Sequence, residues 1–478
     1  DKSIKVSVSH EDNRVKIDIR KSNQPVITLD ANGLKFEEEG FDFTKDLTVQ
    51  SVQTHSINES YTLPTGKTSH YTNKANEMVV AFSNKEKNGM CLIVRAQNDG
   101  VAFRYAFNNT TPLRVAAENT SYFIPENSST WAMEYSWDSE KEYLHRNSNE
   151  MNADIYHFPF LIETPSKQWI LLHEADVVGK SIASGISGNK GNGRFDITWN
   201  YPHPSSSNQM NEWMKILVNE TYDIQASPNF ATPWRMLIID NKLGTIVEST
   251  MTENLNPPSE VKIVDWMSPG VAVFPWWANH RANSDEKILR EYIDCAVTMG
   301  WDVLEFDISL IGTRGDRPHP EWLTTPWVKD IVDYAHSKNI KVYGWDDRAN
   351  LDTPEERDFI FGKYRELGVD GIKIDFVNSS AQLANEFRES CLRDAAKYKL
   401  MVSFHGEYTP RGERKRFPNL MTQEGILGSE YYGSSVPNPV HNTTIPFTRN
   451  VVGPMDYTPT AYSAQGRKTT YAHETALP

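Results

Sequence analysis

Gly371-Ile372-Lys373-Ile374-Asp375-Phe376 reads as a buried strand that ends on a carboxylate. Ile372 and Ile374 are β-branched and apolar, Gly371 opens the run, and Asn378-Ser379-Ser380 closes it. A Lys and an Asp inside such a strand are costly unless something pairs with them. Two readings are open at this point. One is an ion pair of the core. The other is a carboxylate at the C-terminal end of a parallel barrel strand, where barrel enzymes carry their chemistry.

Around this stretch, strand and helix patterns alternate. Val271 to Trp277 predicts a first strand, followed by a helix capped by Asn283 or Ser284 with Asp285 and Glu286 in its first turn. Its apolar side is Ile288, Leu289, Tyr292, Ile293, Ala296 and Val297. Trp301 to Asp307, Ile340 to Asp346, Leu400 to His405 and Leu420 to Gln423 predict further strands, and 450–456 a seventh. Helices are expected near 326–337, 354–367 and 381–398. Repeated units of this kind imply a parallel sheet with helices outside it, and their number suggests a (β/α)8 barrel of the TIM type. The last strand and helix are not found before Pro478, which favours a barrel cut short there, together with a C-terminal domain.

The first half differs. Ile4-Lys5-Val6-Ser7-Val8 and Val15-Lys16-Ile17-Asp18-Ile19 alternate, and apolar runs begin at Met78, Met90 and Val101. Turn signals such as Asn98-Asp99-Gly100 separate them, and Ser184 to Gly193 reads as loop. Many short strands with such turns argue for a large β-sandwich. The expected organisation is a sandwich over 1–250, a Pro- and Gly-containing linker over 251–270, and a catalytic barrel over 271–478.

The chain has 478 residues, 23% charged and 38% hydrophobic, a folded composition with room for two or three domains. Its net charge of −14 argues against a nucleic-acid partner, because phosphate binding needs clustered Lys and Arg. Cys91, Cys295 and Cys391 show no motif spacing. No apolar run reaches the length of a membrane span. The chain opens at Asp1, which suggests a signal peptide already removed and a periplasmic or secreted protein.

Trp276, Asp307, Asp346, Asp375, His405, Glu424 and Asp456 recur at strand ends, which in a barrel converge on one face. Glycoside cleavage needs two carboxyls flanking the scissile bond, one of them with a raised pKa. Asp375 suits the nucleophile, and Lys373 shares its side of the strand. Glu424 and Glu430 are candidates for acid and metal ligand, or are solvated loop acids. Lys373, His405, Trp345 and Asp346 are candidates for sugar contact, with Asp346-Asp347 able to chelate paired hydroxyls or to be an ordinary loop pair.

Gly371 to Phe376, Phe404-His405-Gly406, Arg416-Phe417-Pro418-Asn419 and Glu424-Gly425-Ile426-Leu427-Gly428-Ser429-Glu430-Tyr431, in this order, resemble glycoside hydrolase family 97 over nearly the whole chain. The resemblance implies a β-sandwich, a barrel and a small C-terminal β domain. It places the chain with the retaining α-galactosidase branch, because Asp375 stands where the inverting branch lacks a nucleophile and Gly406 stands where that branch has Glu. The resemblance makes Asp375 the nucleophile and Glu430 the acid/base, and retention implies carboxyls roughly 5–5.5 Å apart. It also implies Ca²⁺ held by Glu174, Glu424 and Glu430, with Glu174 reaching in from the sandwich; hard carboxylate oxygens suit that ion. The expected substrate is an α-galactoside oligosaccharide. The rivals are an α-glucosidase on the same scaffold and a non-catalytic carbohydrate-binding barrel.

Overall fold

The computed structural model describes residues 3–199, 201, 222–279, 281–312, 320–434 and 438–458. Alternating apolar residues build two antiparallel sheets in the first half, one of seven strands and one of nine. Arg14–Lys21 shows the pattern: Val15, Ile17 and Ile19 are buried while Arg14, Lys16 and Arg20 face water. Ile17, Leu29 and Tyr122 from one sheet meet Leu92, Phe103 and Leu172 from the other in a single core. Sheets packed face to face over shared apolar side chains are a β-sandwich. Within the predicted loop after Ser184, Gly185–Ile186 forms a short strand, because Ile186 is buried and pairs with Ile197.

The second half carries a parallel sheet of six strands in chain order. They are Ala272–Val273, Val303–Glu305, Lys341–Asp347, Gly371–Asp375, Met401–Phe404 and Leu420–Gln423. Helices Glu286–Met299, Trp327–Ser337, Pro354–Leu367 and Gln382–Lys397 connect four of the consecutive pairs. Leu304, Val342, Ile372, Ile374, Val402 and Phe404 pack against those helices. Val303, Tyr343, Met401 and Met421 form an apolar floor on the other face. The result is an open, barrel-like arc; eight strands are not present among the described residues.

Three local expectations change. The first strand stops at Val273, because Pro275 opens a short helix over Pro275–Ala278. The next helix is capped by Asp285, whose carboxylate accepts from the N–H groups of Lys287 and Ile288, rather than by Asn283 or Ser284. The predicted seventh strand is a 3₁₀ helix over Arg449–Val452, and only Met455 bridges to the sheet, opposite Gln423. Among the described residues no helix is long and apolar enough to cross a membrane.

Buried charges join the two halves. Glu174, on sandwich strand Trp169–Ala175, accepts from Arg411 Nε at 2.9 Å and from Arg235 Nη1 at 2.6 Å. Ser184 adds its N–H and hydroxyl, both at 2.8 Å. Arg235 continues to Glu118, and His173 contacts the carbonyl of Pro410 at 2.8 Å. Glu174→Gln would leave Arg235 and Arg411 short of a counter-charge in a site that water does not reach. Removing one partner of a buried pair costs about 3–5 kcal/mol. The expected outcome is a lower urea midpoint with an unchanged slope, and an unchanged midpoint would show the pair to be dispensable.

Candidate active site

Strand periodicity assembles the site. The parallel register sets Trp345 beside Lys373 and Asp347 beside Asp375, so these four share the inner face of the arc. Lys373 is in turn beside Ser403, which puts His405 on the same face two residues later. Asp346 pairs with Ile374 and belongs to the outer face. It is fully buried there and accepts from Asn350 Nδ2 at 2.8 Å and from the N–H of Asp347 at 2.9 Å. The expectation of a sugar contact at Asp346 is therefore corrected: a one-residue step turns it away from the cleft, and Asp347 faces inward instead.

Asp375 ends the fourth strand with both oxygens engaged. Trp345 Nε1 donates to Oδ2 at 3.0 Å, and the N–H of Phe376 donates to Oδ1 at 2.7 Å. Phe376 itself adopts a left-handed backbone, φ 57°. Such a conformation is costly for a residue with a Cβ and persists where surroundings over-determine it. Here the Phe376 ring meets Trp345 edge to face, 6.1 Å between centroids. The two rings pack together beside the carboxylate that their N–H groups serve.

Two buried cations balance this face. Lys373 Nζ lies 2.9 Å from Glu305 and 4.4 Å from the ring centroid of Phe274. Burial works against its charge, but Glu305, Asp375 and Asp456 outweigh that and hold the ammonium well above its ordinary pKa. His405 lies between Glu424, 3.2 Å from Nδ1, and Asp456, 2.6 Å from Nε2. Burial is again opposed by the two carboxylates, which raise the imidazole well above its usual value. Asp456 and Glu424 are in return lowered despite their own burial, with His405 as the main cause.

Glu430 is different. Burial, then the charges of Glu424 and Asp375, push its carboxyl up to about 8, against opposition from Lys373 and His405. Glu140 comes from the loop between sandwich strands Ser129–Met133 and Tyr143–Asn147. Burial and the charges of Glu424 and Asp138 push it up to about 10, and the hydroxyl of Tyr431 donates to it. Oxygens of Glu140, Glu424 and Glu430 lie within 4.8 Å of one another. Three crowded hard-oxygen donors, two of them biased toward holding protons, are chemically suited to a divalent cation.

The structure brings together Asp375, Lys373, Trp345, His405, Glu424 and Glu430. It does not bring Glu174 to them. Both oxygens of Glu174 are committed to Arg411, Arg235 and Ser184, so it has none to offer a metal. The sandwich does reach the acidic cluster, but through Glu140. That residue lies in Trp137-Asp138-Ser139-Glu140-Lys141-Glu142, a charged loop that carries no periodic signal. Glu305, at the end of the strand Val303–Glu305, joins the site as the partner of Lys373, and its spacing of two from Asp307 is the sequence signal for it.

Comparison with known proteins agrees with this layout. The family model described as Glycosyl-hydrolase 97 N-terminal matches residues 1–258, and the model described as Glycoside hydrolase 97 matches 266–426. A probable retaining alpha-galactosidase of Streptomyces bingchenggensis (strain BCW-1) is 28% identical over 91% of this chain and 65% of its own length. A retaining alpha-galactosidase of Bacteroides thetaiotaomicron is 24% identical over 96% of this chain and 72% of its own length. The chain thus spans 65% and 72% of the length of these two relatives. A crystal structure of a beta-arabinopyranosidase superposes with a TM-score of 0.82 at 22% identity, over 95% of this chain and 74% of that one, which establishes likeness of fold.

The His405 bridge can be tested directly. His405→Asn leaves Glu424 and Asp456 without the cation between them. The raised imidazole contributes stability fully below its unfolded pKa, and that contribution is lost only as pH climbs through its folded value. At pH 7 the variant should lose about 3–5 kcal/mol of unfolding free energy. Near pH 4 the loss should shrink, because the two carboxyls, no longer lowered by His405, take up protons. Denaturant unfolding at both values checks this; an equal loss at both would contradict the charge account.

Proposed function

The chain belongs to glycoside hydrolase family 97, and from that premise we propose that it is a retaining, exo-acting α-galactosidase. The observation that carries the proposal is the contrast between two carboxyls of one cleft. Asp375 is pinned by two N–H donors beside Lys373, while Glu430 is pushed up to about 8. A double displacement needs one carboxylate that attacks and one carboxylic acid that donates.

Asp375 attacks the anomeric carbon as Glu430 gives its proton to the departing glycosidic oxygen. The new bond is an ester between the sugar and Asp375. Glu430, now a carboxylate, takes a proton from water, which attacks the same carbon and frees Asp375. Net retention follows from the two inversions. Trp345 keeps the nucleophile aimed, and its indole lines the sugar site. Lys373 and His405 act mainly through charge, because their polar atoms already face carboxylates. Lys373 has further N–H donors for a sugar hydroxyl.

The proposal includes Ca²⁺ among Glu140, Glu424 and Glu430, in place of the set with Glu174. The mutual closeness of these oxygens supports it. Bound there, the ion would supply positive charge that eases the crowding of the carboxyls. The proposal also takes the six-stranded arc as part of a complete (β/α)8 barrel, on the support of its sequential parallel order. The division into 1–250, 251–270 and 271–478 is part of the same proposal, supported by the family matches that end at 258 and resume at 266. Periplasmic or secreted location rests on the family alone.

Proton NMR of the first sugar released from an aryl α-galactoside, with the aryl α-glucoside run beside it, tests the proposal. α-Galactose as the initial product is expected. Initial β-galactose would overturn retention, and release from the glucoside alone would overturn the substrate.

A further inference from the structure

We infer that Arg449 is a positioning residue of the active site, whose guanidinium holds Glu424 and Asp456 at the spacing that clamps His405. Its consequence for catalysis rests on the glycosidase proposal; its geometry stands apart from it. Arg449 opens the 3₁₀ helix Arg449–Val452, which takes the place of the predicted seventh strand. Val451 and Val452 anchor that helix in an apolar cluster with Leu161, Leu171 and Trp234 of the sandwich. The Arg449 side chain is fully buried and reaches the end of the strand Leu420–Gln423.

Its five hydrogen bonds all end on main-chain carbonyls. Nη2 is shared among Gln423 at 2.7 Å, Glu424 at 2.9 Å and Pro454 at 3.1 Å. Nε also donates to Glu424, at 3.1 Å, and Nη1 donates to Gly453 at 2.9 Å. Two backbone segments are thus tied to one rigid plane. The first carries Glu424, whose carboxylate accepts from the N–H of Gly406 at 2.8 Å and lies 3.2 Å from His405 Nδ1. The second leads, two residues on, to Asp456, which lies 2.6 Å from His405 Nε2. The N–H of Asp456 donates to the carbonyl of Gln423 at 3.1 Å and closes the link between the two segments.

Burial lowers Arg449 to about 10, so it stays charged at neutral pH. A buried charge is costly, and neutral carbonyls are weaker partners for it than a carboxylate. What the guanidinium supplies in return is geometry. Its N–H groups point in fixed directions from one plane, so they hold several acceptors at fixed distances from one another. Lysine would keep the charge as one flexible ammonium and could not set that spacing.

Arg449→Lys tests this, with two readouts taken below its melting transition. The first is NMR of protein carrying isotope-labelled histidine. The ring N–H signals of His405, identified by their loss in His405→Asn, should shift or broaden in Arg449→Lys. The second is kinetic, on whichever of the aryl α-galactoside and α-glucoside wild type cleaves. There kcat should fall about 10–100-fold with KM little changed, the size expected when a group is misplaced by about 1 Å. The NMR readout needs no substrate, so failure of the galactosidase proposal shows in the choice of glycoside and leaves this inference to be judged by itself. His405 signals that stay in place would overturn it, whatever the melting temperature does, because Arg449 would then serve stability alone. If Arg449→Lys does not fold, Val452→Ala replaces it, since Val452 is a fully buried anchor of the same 3₁₀ helix and carries no polar group. The same changes, smaller in size, are then expected, and unmoved His405 signals would again overturn the inference.

Discussion

The structure turns on an imbalance of charge. Glu305, Asp307, Asp347, Asp375, Glu424, Glu430 and Asp456 converge on one face with Lys373 and His405 as the buried cations among them. Like charges about 4 Å apart repel by about 4 kcal/mol at an effective dielectric of 20, so such a cluster cannot ionise uniformly. The cations decide which members stay charged. Glu424 and Asp456 flank His405 and are lowered, while Glu430 and Glu140 are raised. The asymmetry between Glu424 and Glu430 therefore emerges from where two cations sit on a pleated face.

This dependence makes the sandwich part of the chemistry. Glu140 adds to the crowding from the loop between two sandwich strands, and Tyr431, next to Glu430, donates to it. Glu142 of the same loop accepts from Asn438. Further in, the Glu118–Arg235–Glu174–Arg411 chain fastens sandwich to arc through buried charge. Replacing an isolated buried pair by apolar residues can be neutral for stability. Here the chain runs from the sandwich through Glu174 to Arg411 of the second half, so removing one member would strand a buried charge on the other side.

Much of this was legible from period-2 reasoning. Gly371 to Asp375 is a strand with Lys373 and Asp375 on one face, and the parallel order of its neighbours follows from the alternating strand–helix pattern. Asp346 ends the strand expected from sequence, while the observed strand runs on to Asp347, and two adjacent acids give no hint of which faces inward. Pro275 cut the first strand short, a stop that the apolar run around it hid. Glu174 is offered as a ligand by the family resemblance alone, and its true partners, Arg235 and Arg411, are 61 and 237 residues away, so nothing in the local sequence signals the pairing. Glu140 was invisible for the opposite reason: a charged loop is the ordinary appearance of solvated surface, and only tertiary contact with Tyr431 distinguishes it.

The central claim is that Asp375 forms the bond to the sugar. A slow fluorinated galactosyl fluoride, incubated with the protein and followed by peptide mass spectrometry, tests it most directly. The account predicts a stable adduct of one fluorosugar on the peptide that contains Asp375, lost in Asp375→Asn. An adduct on Glu430, or hydrolysis of the reagent with no adduct and an inverted product, would contradict it.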